Sequence, residues 1–142
     1  ITPEMKARLE DYRSLMKSRI GVACESPRTP PVAIAPEHVQ GKLCTPQRCA
    51  MGCENARFLP ESLSGLAMRL VELLVLNLHL PVETWIRGKY EDEMAGLEAV
   101  LDLFDKQAVA QALQVWRERI HMGGHLIPEW GIVRPDMIEE LA

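Results

Sequence analysis

Three cysteines within ten residues, Cys44, Cys49 and Cys53, with a fourth at Cys24, constrain this chain more than any other feature. Their spacing is Cys-x4-Cys-x3-Cys, and nineteen residues separate Cys24 from Cys44 across a proline-rich stretch. Thiols gathered in fours suit a closed tetrahedral shell, the usual setting of a structural zinc ion held at about 2.3 Å by each sulfur. The expectation is a metal centre built from Cys24, Cys44, Cys49 and Cys53 that pins an irregular N-terminal lobe to a helical body.

Spacing alone leaves three other chemistries open: a disulfide framework, an iron–sulfur cluster, and unrelated buried thiols. Disulfide scaffolds belong to oxidising compartments and to domains with little core. This chain of 142 residues is 47% apolar, and no stretch reads as a secretory signal. Iron–sulfur proteins of the common bacterial type place two residues between successive cysteines, and zinc ribbons use Cys-x2-Cys; neither spacing occurs here. His38 is a reserve ligand that would replace Cys24 in a three-cysteine, one-histidine site, although a loop histidine in water is the simpler reading.

Between Cys24 and Lys42 the chain carries Pro27, Pro30, Pro31 and Pro36. X-Pro steps favour extended backbone over helix. A loop of this length inside one domain needs something to tie it down. That is an independent reason to expect a link from Cys24 to the later cysteines.

The flanks read as helices. Thr2-Pro3-Glu4 is a helix start, with a capping hydroxyl, proline at the first position and acid in the first turn. Met5, Leu9, Tyr12, Leu15, Met16 and Ile20 recur at steps of three and four, which predicts one helix ending at Gly21. Thr45-Pro46 repeats the start signal and predicts a short helix, which either presents Cys49 and Cys53 on one face or ends at Gly52 and lets Cys53 turn inward. Leu63 to Leu80 is apolar almost all round, as a helix in the middle of a bundle would be, until Pro81 breaks it. Helical spacing resumes from Trp85 to Phe104. Asp105 caps a further helix that ends at Gly123-Gly124, and Arg134-Pro135-Asp136 begins a last short one. No stretch alternates with period two. The predicted fold is therefore all-α, a bundle of about four to five helices. Residues 1–57 form its metal-stapled lobe and residues 58–142 its body, and few or no strands are expected.

The charge is uneven. Residues 1–57 hold nine Lys/Arg against six Asp/Glu, and residues 58–142 hold seven against fourteen, for a net −4. Any contact with DNA would therefore fall to the cysteine-bearing half, through Lys42, Arg48 and Arg57. The acid runs Glu91-Asp92-Glu93 and Glu139-Glu140 read as solvated helix surface. His121 and His125 flank two glycines, with His121 suited to a helix C-terminus. The chain has no P-loop, no Gly-x-Ser-x-Gly elbow and no His-Glu-x-x-His, so it shows no catalytic motif of its own. The longest apolar run, Leu73 to Leu80, contains Asn77 and His79 and is far too short to span a bilayer, which points to a cytoplasmic protein without membrane contact. Ile1 in place of Met suggests a piece of a longer protein, whose other domains would be its partners. Oligomerisation is compatible with this reading.

Gly41-Lys42-Leu43-Cys44, then Cys49, then Cys53-Glu54-Asn55-Ala56-Arg57-Phe58, and the Pro60-Glu61-Ser62-Leu63 helix start together resemble a cysteine-bearing accessory region. Regions of this kind occur in long bacterial integrase-type proteins, the tyrosine recombinases of phages and mobile elements. The Trp85 helix and Trp116-Arg117-Glu118-Arg119 extend the resemblance, which covers about residues 20–121. It implies a DNA-integration protein whose strand transfer is carried by Arg, His, Arg and Tyr residues in another domain. This chain has no His-x-x-Arg, and Tyr12 and Tyr90 both lie on apolar helical stripes. No catalytic residue is carried over; the four cysteines are, as metal ligands. The expected function is a non-catalytic accessory domain that supports DNA binding or protomer assembly through zinc. The alternatives are an iron–sulfur or thiol-based redox sensor and a metal-free helical interaction domain.

Overall fold

Helix α2, Leu63–His79, is the axis on which the other elements are laid. The computed structural model describes residues 2–45 and 47–132. Leu66, Val71, Leu73, Val75 and Leu76 of α2 are completely buried. Full burial of such a side chain stabilises by about 1.5–3 kcal/mol. The helical stretch Pro60–His79 has the length and apolarity of a membrane span, but 61% of it is buried inside the protein, as befits a core helix. The run counted in the sequence from Leu73 to Leu80 was thus only the end of a longer apolar helix.

After α2 the helices follow the sequence signals. Leu80 donates its N–H to Leu76 at 2.7 Å, and Pro81 then prevents continuation. Short α3, Val82–Arg87, precedes α4, Tyr90–Leu101, with Lys89 in left-handed backbone (φ 55°) at the joint. The Asp105 carboxylate accepts from Ala108 N at 2.9 Å and opens α5, Lys106–His121. Gly123 and Gly124, both at positive φ, end that helix as expected. α2 packs chiefly on α5 and then on α4. Ile120 of α5 and Leu97 of α4 are completely buried in the shared core. A two-stranded hairpin, β4 Leu126–Ile127 with β5 Gly131–Ile132, closes the described chain. The helix expected at Arg134-Pro135-Asp136, and Glu139-Glu140 with it, lies outside the described residues.

The N-terminal lobe departs from expectation. Helix α1, Pro3–Arg13, starts at the Thr2 cap as predicted but buries none of its residues and stops at Ser14 rather than Gly21. The Ser14 hydroxyl donates to Asp11 O at 2.6 Å, a local alternative to continued helix. Met16–Lys17 then forms β1, which pairs antiparallel with β2, Ala23–Cys24; β2 pairs in turn with β3, Ala56–Arg57. Gly21 (φ 77°) serves the β1–β2 turn instead of a helix end. The cause is tertiary. Ile20 leaves the helical stripe to lie completely buried against α2, where only the missing side chain of Gly65 leaves room for its backbone. Among the described residues the fold is therefore mostly helical, with five α-helices, a small three-stranded sheet and the β4–β5 hairpin, and not all-α as predicted. Strands of two residues carry no period-two signature to read.

Lobe and body share one core. Ile20, Val22 and Ala50 cluster with the α2 residues. The Ser62 hydroxyl, fully buried, accepts from Leu59 N at 3.0 Å and donates to Gly21 O at 2.9 Å, joining the hairpin turn to the entry of α2. On the other flank the Ala50 carbonyl lies over Gly96 of α4, so close that a Cβ there would stand 2.4 Å from the oxygen.

Candidate functional site

All four cysteines line a single cavity of about 360 Å³ in the N-terminal lobe. Backbone pairing explains the convergence. Cys24 is level with Ala56 across β2–β3, and Ala56 N bonds to Cys53 O at 3.2 Å, which sets Cys53 beside the same strands. Cys44 N donates to Pro27 O at 2.7 Å, folding the proline-rich loop back so that its far end meets Cys24. Cys49 precedes buried Ala50 on the seat made by Gly96. Asn55 holds the loop's start, donating from Nδ2 to Thr29 O at 3.1 Å. The described residues between Thr45 and Cys53 form turns, so Cys49 and Cys53 do not share a helical face as predicted. Gly52, at φ 78°, instead turns the backbone before Cys53, the other course its position allowed.

No disulfide joins the four thiols, and each is partly buried. Burial pushes Cys49 up to about 11; a hydrogen bond from the Ser18 hydroxyl partly offsets this, and Cys53, Cys44 and Cys24 add to the rise. Cys44 is raised for the same reasons, burial first and then Cys24 and Cys53. Each group resists becoming a second or third anion in one apolar space, and a cation placed there would reverse that preference. Among the described residues, no three of the His, Cys, Asp and Glu side chains stand where they could hold one metal ion.

The other residues singled out from the sequence lie apart from this cavity or are engaged elsewhere. His38 bonds through Nε2 to Arg28 O at 3.0 Å. Arg48 donates to Ile34 O at 3.0 Å and lies 3.7 Å from Glu37. Arg57 donates to Glu54 O, Ala56 O and Glu25 Oε2, all at 2.8 Å, and covers the Tyr12 ring. Lys42 is exposed on the loop. Two of the three candidate DNA contacts are thus drawn into the lobe's own structure. His121 is exposed in the last turn of α5.

A second constellation escaped the sequence reading. Arg69 of α2, 1% exposed, spends all five guanidinium hydrogens on carboxylates. Nε and Nη2 reach Glu93 at 2.7 and 3.3 Å, and Nη1 reaches Glu72 at 3.1 Å. Nη1 and Nη2 grip Glu129 at 3.1 and 2.7 Å. Glu72, completely buried, also accepts from Arg19 Nη1 at 2.9 Å and bonds His125 Nε2 at 2.6 Å. Burial would lower Arg69, but its bonds to Glu129 and Glu93 raise it further, so it stays a cation. Burial raises Glu93, with Arg69 only partly opposing; at Glu129 Arg69 outweighs burial and the carboxyl is held below its ordinary value. Glu93 is thus no solvated surface acid, contrary to expectation. The network ties lobe, α2, α4 and the β4–β5 hairpin together, with each of the three carboxylates bonded to at least one guanidinium. The available signal was Arg69 and Glu72 inside a helix otherwise apolar, since ions within a buried helix need partners.

Comparison with known protein families, with characterised proteins and with solved structures returns no match.

Proposed function

We propose that this chain is an accessory module of a DNA integration or recombination protein. In this reading a thiolate-bound metal centre locks the N-terminal lobe to the helical body, and the locked unit supports protomer or domain assembly on DNA. The observation that carries the reading is the arrival at one cavity of four cysteines, three from residues 44–53 and one from the far side of the proline-rich loop. A lobe with three two-residue strands and a loop of four prolines has little cohesion of its own, and a metal that binds only its folded form stabilises it directly. Arg48 and Arg57 are spent on carbonyls and carboxylates inside the lobe. The DNA-facing part of the role is accordingly assembly, with exposed Lys42 and its neighbour loop adding positive charge rather than reading bases.

Metal analysis joined to proteolysis tests the staple. Removing the metal with a chelator should open the chain to cleavage between Cys24 and Cys53 while the helical circular dichroism of the body persists. Unchanged protection after complete demetallation would sink the staple. For the DNA role, affinity measured across salt concentrations should fall as salt rises. A flat response, or no association with DNA or with a second copy, removes that part.

A further inference from the structure

Four thiolates around one zinc ion at about 2.3 Å stand about 3.8 Å from each other and leave no void between them. The cysteines here instead share with fifteen other residues the lining of a cavity of about 360 Å³, the lower end of the roughly 300–1,000 Å³ that encloses a small-molecule ligand. No three of the potential ligands among the described residues are gathered for a single ion. Each cysteine comes from its own wall: the end of β2 for Cys24, the strap hung from Pro27 for Cys44, the turn seated on α4 for Cys49, and the approach to β3 for Cys53. Much of the remaining lining is apolar, including Met16, Val22, Ile34 and Leu43.

We infer that the resident group is a four-iron, four-sulfide cluster, each iron taking one thiolate from one wall. This rests on the reading of the cysteines as metal ligands and deepens it by naming the cofactor class. A cluster separates its cysteine sulfurs, because they bind different metal atoms, and it fills a volume that a lone ion leaves empty. The spacing matches neither common cluster pattern: the bacterial type uses gaps of two, and the plant type, with gaps of four and two and its distant cysteine downstream, holds two irons, so the four-iron form rests on the cavity and on the separate walls. Apolar walls keep water from the sulfides, which sets how readily such a cluster is reduced or lost.

The test uses the whole chain, handled without oxygen and incubated with ferric iron, sulfide and a thiol that gives up two electrons per cluster as it becomes a disulfide, then desalted. The expected product is brown, has a broad visible absorption band, and holds about four iron and four acid-labile sulfide per chain. A chain with all four cysteines replaced by serine is the blank, and single replacements such as Cys49→Ser should cut cluster content several-fold. Circular dichroism on each variant separates cluster loss from unfolding of the body. Parallel loading with cobalt(II) or zinc discriminates the failures. One cobalt per chain with a tetrathiolate spectrum, and no stable cluster, overturns this inference but leaves the metal staple standing. Two iron per chain overturns the four-iron form. Retention of none of these metals overturns both readings.

Discussion

Nε of Arg69 lies 2.7 Å from Oε2 of Glu93, with 1% and 3% of the two side chains exposed. A cation on α2 and an anion on α4 are thus neutralised away from water, and neither survives well alone.

Replacing Arg69 with methionine should cost about 3–5 kcal/mol of unfolding free energy, because it strands Glu93 and Glu129 without their cation, while Glu72 keeps Arg19. Urea unfolding at neutral pH measures it. Adding Glu93→Leu to Arg69→Met should recover part of the loss, as coupled neighbours do. A single variant within about 0.5 kcal/mol of the parent, the range of ordinary surface changes, would show that the network is not holding the helices together.

Glu93 and Glu129 should pull stability in opposite directions with pH. Glu93 is raised in the folded protein, so its contribution is full below the ordinary value of 4.5 and is lost as pH rises through the folded value. Glu129 is lowered, so its contribution is full above 4.5 and is lost as pH falls through its folded value. The stability advantage of the parent over Glu93→Gln should therefore shrink as pH rises from 4.5. The advantage over Glu129→Gln should shrink as pH falls below 4.5. Matching slopes for the two variants would contradict the assignment.

Gly65→Ala and Gly96→Ala should both destabilise, although alanine is the better helix former by about 1 kcal/mol. A Cβ on Gly65 would meet Ile20 O at 1.8 Å, and one on Gly96 would meet Ala50 O at 2.4 Å. Both neighbours are backbone, so relief requires the lobe to lift, at about 1–3 kcal/mol or more. Thermal unfolding reads the loss, and increased cleavage between Cys24 and Cys53 would locate it. A gain in melting temperature at either position would refute the close approach.

Asp105→Ala should lose about 1 kcal/mol, because the first turn of α5 gives up the acceptor for Ala108 N. Asp105→Asn should keep most of it. Denaturant midpoints for the pair separate a capping effect from a general effect of charge.

The body was legible because its signals are local. Pro81, Asp105 and Gly123-Gly124 mark α2 through α5 with residues that act on their immediate neighbours. α1 was misjudged at its end because Ile20 fits a helical stripe by spacing, yet its partner is the bare backbone of Gly65 far along the chain. Glu93 was misread for the same reason: beside Glu91 and Asp92 it looks solvated, and Arg69 is twenty-four residues away. Nearness of the four cysteines was foreseen from their clustering and from the loop that needed an anchor. The cavity they enclose was not, since size and shape of an enclosed space depend on the β1–β2–β3 pairings, which two-residue strands do not announce.

Synthesis runs from the N-terminus, so Cys24 to Cys53 leave the ribosome before the helix that receives Ile20 exists. Until residues 63–79 emerge, the thiol-bearing segment has no platform, and its sulfurs stay open to solvent; docking on the helix is the step that covers them. A chain stalled before Leu63 should leave Cys49 open to alkylation, whereas the finished protein should shield it.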